Sequence, residues 1–316
     1  MDLNKYMKAE PEGSEAGENR LSKEEYAAMK KQEREEVWAE VDAKAQDIFK
    51  DGDSLKGFLD FVAQVRPQRT PNLLLLYSQN PEIRQVKTFE KWKEEKRTLK
   101  PGVQGYRFIA SQDYEKDGVA AQGYAIRKVY DVSQIRMPQP EKPEPKPVEE
   151  LLGALLTETE VKVQIADNLP ENVQAQYIPG HRTVYVRNGM GEETTFHAIS
   201  RELSCAALDR HDGSYSRAGI SAQAYCTAYV IAQKYGVETS GFAFDKVCQM
   251  QENGAKDPKE LRAFVSDIKT ATYAIGTRMD RNMGSQEQEF ASDEFSVPDG
   301  AGKKAKVSKP KVQTER

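Results

Sequence analysis

The stretch Glu193-Thr194-Thr195-Phe196-His197-Ala198-Ile199-Ser200-Arg201-Glu202-Leu203-Ser204-Cys205-Ala206-Ala207-Leu208 decides how the second half of this chain is read. It has the frame of a zinc-binding His-Glu-x-x-His helix. In such a helix residues four apart share a face, so both imidazoles reach one metal, and the Glu beside the first His activates the metal-bound water. The register here is Arg201-Glu202-Leu203-Ser204-Cys205, which keeps the Glu and replaces both His. An arginine stays protonated and has no lone pair to offer a cation. Glu202 is therefore vestigial, no catalytic residue is assigned, and neither a metal nor another cofactor is expected. A carboxylate in a closed site needs a cation, and Arg201 is the nearest in sequence. Neighbours on a helix do not face each other, however, so if Arg201 turns to solvent another cation must compensate Glu202.

A rearranged metal site would draw on His197, Cys205, Cys226 and His211. His197 and Cys205 lie two turns apart, ~12 Å of rise at 1.5 Å per residue, whereas zinc ligands each sit ~2 Å from the ion. The alternative makes Cys205 and Cys226 small buried residues on facing helices. No Gly-x-Ser-x-Gly elbow, Walker loop or dinucleotide glycine motif occurs.

The length of 316 residues suggests two domains, and a chain 38% hydrophobic and 30% charged must expose much of itself. No apolar run reaches 18 residues, and Met1-Asp2-Leu3-Asn4-Lys5-Tyr6 lacks the core of a signal peptide. Three cysteines (Cys205, Cys226, Cys248) without a CxxC pair point to a reducing compartment. The expected location is cytoplasmic, with no membrane partner. The net charge of −4 hides an asymmetry: residues 1–53 carry −6, 54–136 carry +6, 137–301 carry −9 and 302–316 carry +5. One basic folded segment in an acidic chain is the pattern of a polyanion-binding module.

Residues 1–20 are polar and expected to be disordered. Residues 21–136 hold N-terminal helices and the basic module. Ser22-x-x-Glu25 is a capping box that opens a charged helix to Lys50. A second helix follows Ser54 and ends before Pro67. Thr70-Pro71-Asn72 opens Leu73-Leu74-Leu75-Leu76-Tyr77, apolar nearly all round and so buried. Thr88-Phe89-Glu90-Lys91-Trp92-Lys93 reads as a short helix. Strands are expected at 106–109 and 123–130 with a charged loop between them. Residues 137–147 hold five of the 15 prolines and read as a linker. Residues 148–283 form a second α+β domain: a helix near 148–156, a strand at 161–165, a hairpin around Pro179-Gly180, the opening helix, a helix from about Ala218 to Tyr235 and one from Pro258 to Met283. Residues 284–316 close the chain as a disordered basic tail.

Single-stranded DNA is held by cations that track phosphates and aromatics that stack on bases. The candidates are Arg69, Arg84, Lys87, Lys91, Trp92, Lys93, Lys96, Arg97, Lys100 and Arg107, interleaved with Phe89, Tyr106, Tyr124 and Tyr130. The order of four pieces adds to this: Asn72 to Pro81 (Asn-x-Leu-Leu-x-x-x-Gln-x-Pro), Thr88-Phe89-x-x-Trp92, Val103-Gln104-Gly105-Tyr106, and Val129-Tyr130-Asp131-Val132-Ser133. Over about 65–135 this resembles the single-stranded-DNA-binding N-terminal domain of ArdC-type antirestriction proteins of conjugative elements. The family's Tyr-Ser before the Asn is Gln68-Arg69 here, and its Lys-Gly-x-x-Gly turn has become Lys100-Pro101-Gly102-Val103-Gln104-Gly105.

In that family a zincin-like metallopeptidase domain follows, and its partner helix carries a Glu as third metal ligand. Ala224-Tyr225-Cys226-Thr227-Ala228-Tyr229-Val230, then Tyr235-Gly236 and Thr239-Ser240, is similar to that helix, with Tyr225 in the place of the Glu. The resemblance thus implies three changed ligand positions, Arg201, Cys205 and Tyr225. The resulting expectation is a two-domain α+β protein, a DNA-binding domain followed by a pseudo-metallopeptidase. Its partners would be single-stranded DNA and a host or element protein, in a role accessory to conjugation or defence evasion. Two rivals stay open: an active zinc hydrolase with a rearranged site, and an interaction scaffold whose cleft binds peptide without cutting it and which does not bind DNA.

Overall fold

Ser22 and Glu25 form the expected reciprocal cap: the Ser22 N–H donates to Glu25 Oε2 (2.8 Å) and the Glu25 N–H to Ser22 Oγ (3.1 Å). They open α1 (Lys23–Asp47). The computed structural model describes residues 22–116, 119–136 and 145–284. Most of the Pro-rich linker and both segments expected to be disordered lie outside these residues, apart from Gly284. The described residues divide into two compact units, with the division between Ala39 and Glu40. Among the described residues the first unit holds only Ser22 and the start of α1, and every later element belongs to the second.

The helix α2 (Gly52–Gln64) starts before Ser54 because Asp51 caps it, accepting the Ser54 N–H at 2.7 Å. In α3 (Thr70–Gln79) Leu73 to Leu76 are all buried, as an all-round apolar run requires. Next come β1 (Val86–Lys87), α4 (Phe89–Glu94), β2 (Tyr106–Lys116) and β3 (Val119–Asp131). These strands form an antiparallel sheet in the order β1-β3-β2. The charged stretch expected as a loop is instead the outer half of a long hairpin, pairing Lys116 with Val119. An antiparallel ladder satisfies the backbone whatever the side-chain charge, so polarity alone does not end it.

The outer edge of β2 is closed at Arg107 and Ile109 by side chains of α3. Asn72 donates from Nδ2 to the Ile109 carbonyl (2.9 Å) and accepts the Ile109 N–H at Oδ1 (2.8 Å). Gln79 repeats the pattern on Arg107, donating to its carbonyl (3.0 Å) and accepting its N–H (2.7 Å). Each carboxamide presents a donor and an acceptor side by side, as a neighbouring strand would. Asp131, buried at the end of β3, accepts the N–H groups of Arg84 and Gln85 (both 2.9 Å) and Ser133 (2.8 Å).

The remaining elements are α5 (Val148–Leu156), β4 (Lys162–Ile165), β5 (Ala175–Ile178), β6 (Thr183–Val186), α6 (Glu192–Ala207), α7 (Arg217–Tyr235), α8 (Asp245–Met250) and α9 (Pro258–Asn282). Their sheet has the order β4-β6-β5, with β4 parallel and β5 antiparallel to β6. The β5–β6 hairpin turns through Pro179–His181, and the left-handed residue is Arg182 (φ 47°), not Gly180. The core gathers Leu151, Tyr177, Val184, Phe196, Leu203 and Ile231, among others. The helices α2 and α3 pack onto α7, α8 and α9. Phe49 meets Phe264 edge to face at 5.3 Å, and the Tyr229 hydroxyl donates to Asp60. Gly254 (φ 85°) lies where a Cβ would come 2.2 Å from the Gln46 carbonyl oxygen, so only glycine fits. The fold is α+β, and segments from either side of the Pro-rich run share one body.

Replacing Asn72 by Ala strips the Ile109 N–H and carbonyl of their partners in a buried position. The expected loss is about 3 kcal/mol of unfolding free energy, measured by urea denaturation followed by circular dichroism.

Candidate functional site

The face of α6 toward the sheet and α7 is apolar except at Ser200, Glu202 and Ser204, all three fully buried. The two serines are satisfied within the helix, since Ser204 Oγ donates to the Ser200 carbonyl (2.7 Å) and Ser200 Oγ to the His197 carbonyl (3.2 Å). Glu202 reaches outside it. Its Oε2 accepts the backbone N–H of Tyr177 in β5 at 2.8 Å, and both oxygens accept the guanidinium of Arg217 at 2.6 Å. This is a two-pronged pair, the strong form of an ion pair. The hydrogen bonds to Glu202 raise the pKa of Arg217 and keep it charged. Arg201 Nε stands 3.6 Å from Glu202 Oε1, outside hydrogen-bond range, with a side chain 41% exposed. The main partner is thus Arg217, not the sequence neighbour Arg201, because adjacent residues on a helix diverge.

Arg217 is the first residue of α7. A cation there opposes the helix dipole by about 0.3–1 kcal/mol, a cost that the pair with Glu202 offsets. No acidic residue stands in that first turn, a local mismatch that could have marked Arg217 in the sequence.

Arg201, Cys205, Arg217 and Ser221 line one cavity of about 210 Å³. Burial, then the charge of Glu202, pushes the Cys205 thiol up to about 12, so it stays protonated. Tyr225 lies elsewhere. It lines a separate cleft with His197, Glu193 and Phe242, accepts the Ala243 N–H at 2.9 Å, and packs on Phe242 with centroids 4.9 Å apart. The α7 residue opposite Arg201 and Cys205 is therefore Ser221, one turn before Tyr225.

The residues of this cavity do not suit a metal. Two guanidiniums repel a cation, the thiol holds its proton, and Glu202 has both oxygens engaged by Arg217. The remaining metal candidates are also dispersed: Cys226 is fully buried, His211 Nδ1 lies 3.4 Å from Asp209, and His197 Nε2 donates to the Glu238 carbonyl (2.9 Å). Burial lowers the pKa of His197, and its Nδ1 has no hydrogen-bond partner among the described residues. Among those residues no three His, Cys, Asp or Glu side chains come together as a metal site.

In the basic segment the structure separates framework from surface. Trp92 is 4% exposed and donates from Nε1 to the Tyr130 carbonyl (2.8 Å), which fixes α4 to β3. Lys87 lies over the Trp92 ring and pairs with Glu95. Arg107 pairs with Glu40, and Lys100 donates to the Ser133 carbonyl (2.7 Å). Arg69 and Lys91 are half-buried. Arg84, Lys93, Lys96 and Arg97 are exposed. Phe89 at 49% exposure, not Trp92, is the aromatic that α4 presents to solvent.

Residues 28–141 match the family model of the N-terminal domain of anti-restriction factor ArdC. The chain carries an ArdC N-terminal domain. The expected motif residues fall inside it as framework: Asn72 and Gln79 on the edge of β2, Trp92 under α4, and Asp131 at the end of β3. Two crystal structures of the antirestriction ArdC protein from the R388 plasmid also match, each at 12% identity and a TM-score of 0.43. The metal-free one covers 68% of this chain and 86% of its own, and the Mn(II)-bound one 67% and 85%. A likeness of that degree assigns no site residue here. A search of the curated proteins finds no match. Among the described residues no helix is long and apolar enough to cross a membrane.

Replacing Arg217 by Met leaves Glu202 buried without a counter-charge. Chemical denaturation should register a loss of about 3 kcal/mol, at the low end for breaking a buried pair because Arg217 is partly solvated. Adding Glu202→Gln to that variant should recover most of the loss.

Proposed function

We propose that this chain binds single-stranded DNA through its ArdC N-terminal domain, and that residues 148–283 form a zincin-like body without peptidase activity. The role we infer is accessory to mobile elements, at the stage when incoming DNA is single-stranded. The observation that carries the DNA reading is the exposed cation group on and beside α4 (Lys93, Lys96 and Arg97) next to the exposed ring of Phe89. Cations that track phosphate and a ring that stacks on a base are what sequence-tolerant single-strand binding needs. The net charge of +6 over residues 54–136 supports the same reading.

The inactive-body reading rests on Glu202. A general base must reach a water, and Glu202 is fully buried with the Arg217 fork on both oxygens and the Tyr177 N–H on one. The inferred division of labour follows the sequence modules on either side of residues 137–147, which we propose as the functional boundary.

Fluorescence anisotropy with labelled oligo-dT tests the first part. The full chain should bind, lose affinity steeply as salt rises, and show little preference between single-strand sequences. Charge reversal at Lys93 and Lys96 together should weaken binding about tenfold or more, since phosphate contacts add across a site, and Phe89→Ala should weaken it further. Binding insensitive to both salt and charge reversal would remove the reading.

Elemental analysis of purified protein tests the second part, with well under one zinc or manganese per chain expected. Stoichiometric metal that is lost on Cys205→Ala or His197→Ala would show a rebuilt site and overturn the inactive-body reading.

A further inference from the structure

The cavity between α6 and α7 has the wrong charge for a metal and a suitable one for an anion. The ion pairs of Arg201 and Arg217 both run to Glu202, so two guanidiniums face one carboxylate and one positive charge is left over. Arg217 spends part of its donor set on Glu202, and Arg201 makes no hydrogen bond among the described residues. A guanidinium has more N–H donors than one carboxylate can use, and they lie in a flat fork that matches a second oxyanion.

Beside this pair stands Tyr215. Its hydroxyl is buried and lies against Cys205 and Arg217, and it is not one of the four residues that line the cavity. Its ring is held edge to face on Tyr177 at 5.7 Å. Burial pushes the Tyr215 phenol up to about 12, so it remains an O–H donor at neutral pH. The Cys205 thiol likewise keeps its proton and adds no negative charge. The cavity of about 210 Å³ far exceeds the ~10–15 Å³ that holds one water by the same kind of measure. It has room for a carboxylate and a short stub behind it.

We propose that this cavity is a seat for a single carboxylate, with Arg201 and Arg217 as its charged donors and Tyr215 as a support packed against Arg217 and Cys205. The group could arrive on a small acid or at the free C-terminus of a peptide, and the chemistry recognised is the same. Glu202 then positions Arg217 for the ligand. This inference does not rest on the DNA-binding reading.

The test is an NMR titration of the full ¹⁵N-labelled chain at constant ionic strength, following the Nε–H signals of Arg201 and Arg217. The probes are acetate, N-acetyl-triglycine and N-acetyl-triglycinamide. Both acids should give saturable shifts and the amide none, and tighter binding of the peptide acid than of acetate would assign the C-terminus as the source. Arg201→Gln, followed at the Arg217 signal, should weaken binding at least tenfold, with unfolding curves confirming that the variant is folded. Ser221→Leu, which takes up cavity space and leaves both arginines in the chain, gives a second route if Arg201→Gln fails to fold, and it too should abolish the shifts. Equal response to acid and amide, shifts that never saturate, or binding that survives both Arg201→Gln and Ser221→Leu would overturn the proposal.

Discussion

The Glu202 carboxylate ties three elements at one point: α6 that carries it, β5 through the Tyr177 N–H, and α7 through Arg217. A fully buried carboxylate is tolerated only with its charge matched and its lone pairs used. Tyr177 is held at its other end too, where its hydroxyl donates to Asp209 at 2.9 Å in the loop between α6 and α7. With its ring against Tyr215 as well, the same residue touches the loop from α6 to Arg217 near both of its ends. In a working metal-dependent helix the Glu needs freedom to meet a water. Here it is a structural post that joins three elements.

The N-terminal part follows a related rule with neutral groups. Asn72, Gln79, Trp92 and Asp131 each satisfy backbone atoms that the short sheet leaves without partners. A small sheet next to helices has few strands and many orphan donors, and polar side chains fill the gap. These framework residues stand apart from the exposed cations on and beside α4. Framework residues tolerate little change, whereas phosphate contacts need only charge on a surface.

Much of the fold was legible in advance. The capping box at Ser22, the buried Leu73–Leu76 run, the α6 and α7 helices and the β5–β6 hairpin all appear with bounds shifted by a few residues at most. What escaped depended on distant partners. Arg217 lies fifteen positions from Glu202 and only the turn between α6 and α7 brings them together. Ser221 and Tyr225 sit on the same helix face, and pairing by motif picked Tyr225, although the crossing of α6 and α7 sets Ser221 opposite Arg201. Trp92 matched a stacking residue by type, but its indole N–H had a backbone acceptor to reach. The outer half of the β2–β3 hairpin was hidden by its charge, and α8 is too short to show a period.

The clamp of α3 on β2 also limits what this protein can join. An open strand edge is a template: any extended segment with the right spacing can add to it, including one from another copy of the same chain. At residues 107 and 109 the outward N–H and carbonyl groups are already taken by carboxamides of the same molecule. That stretch of the sheet is closed to recruitment by strand addition and to edge-to-edge self-association. Along that stretch a partner must be met by side chains.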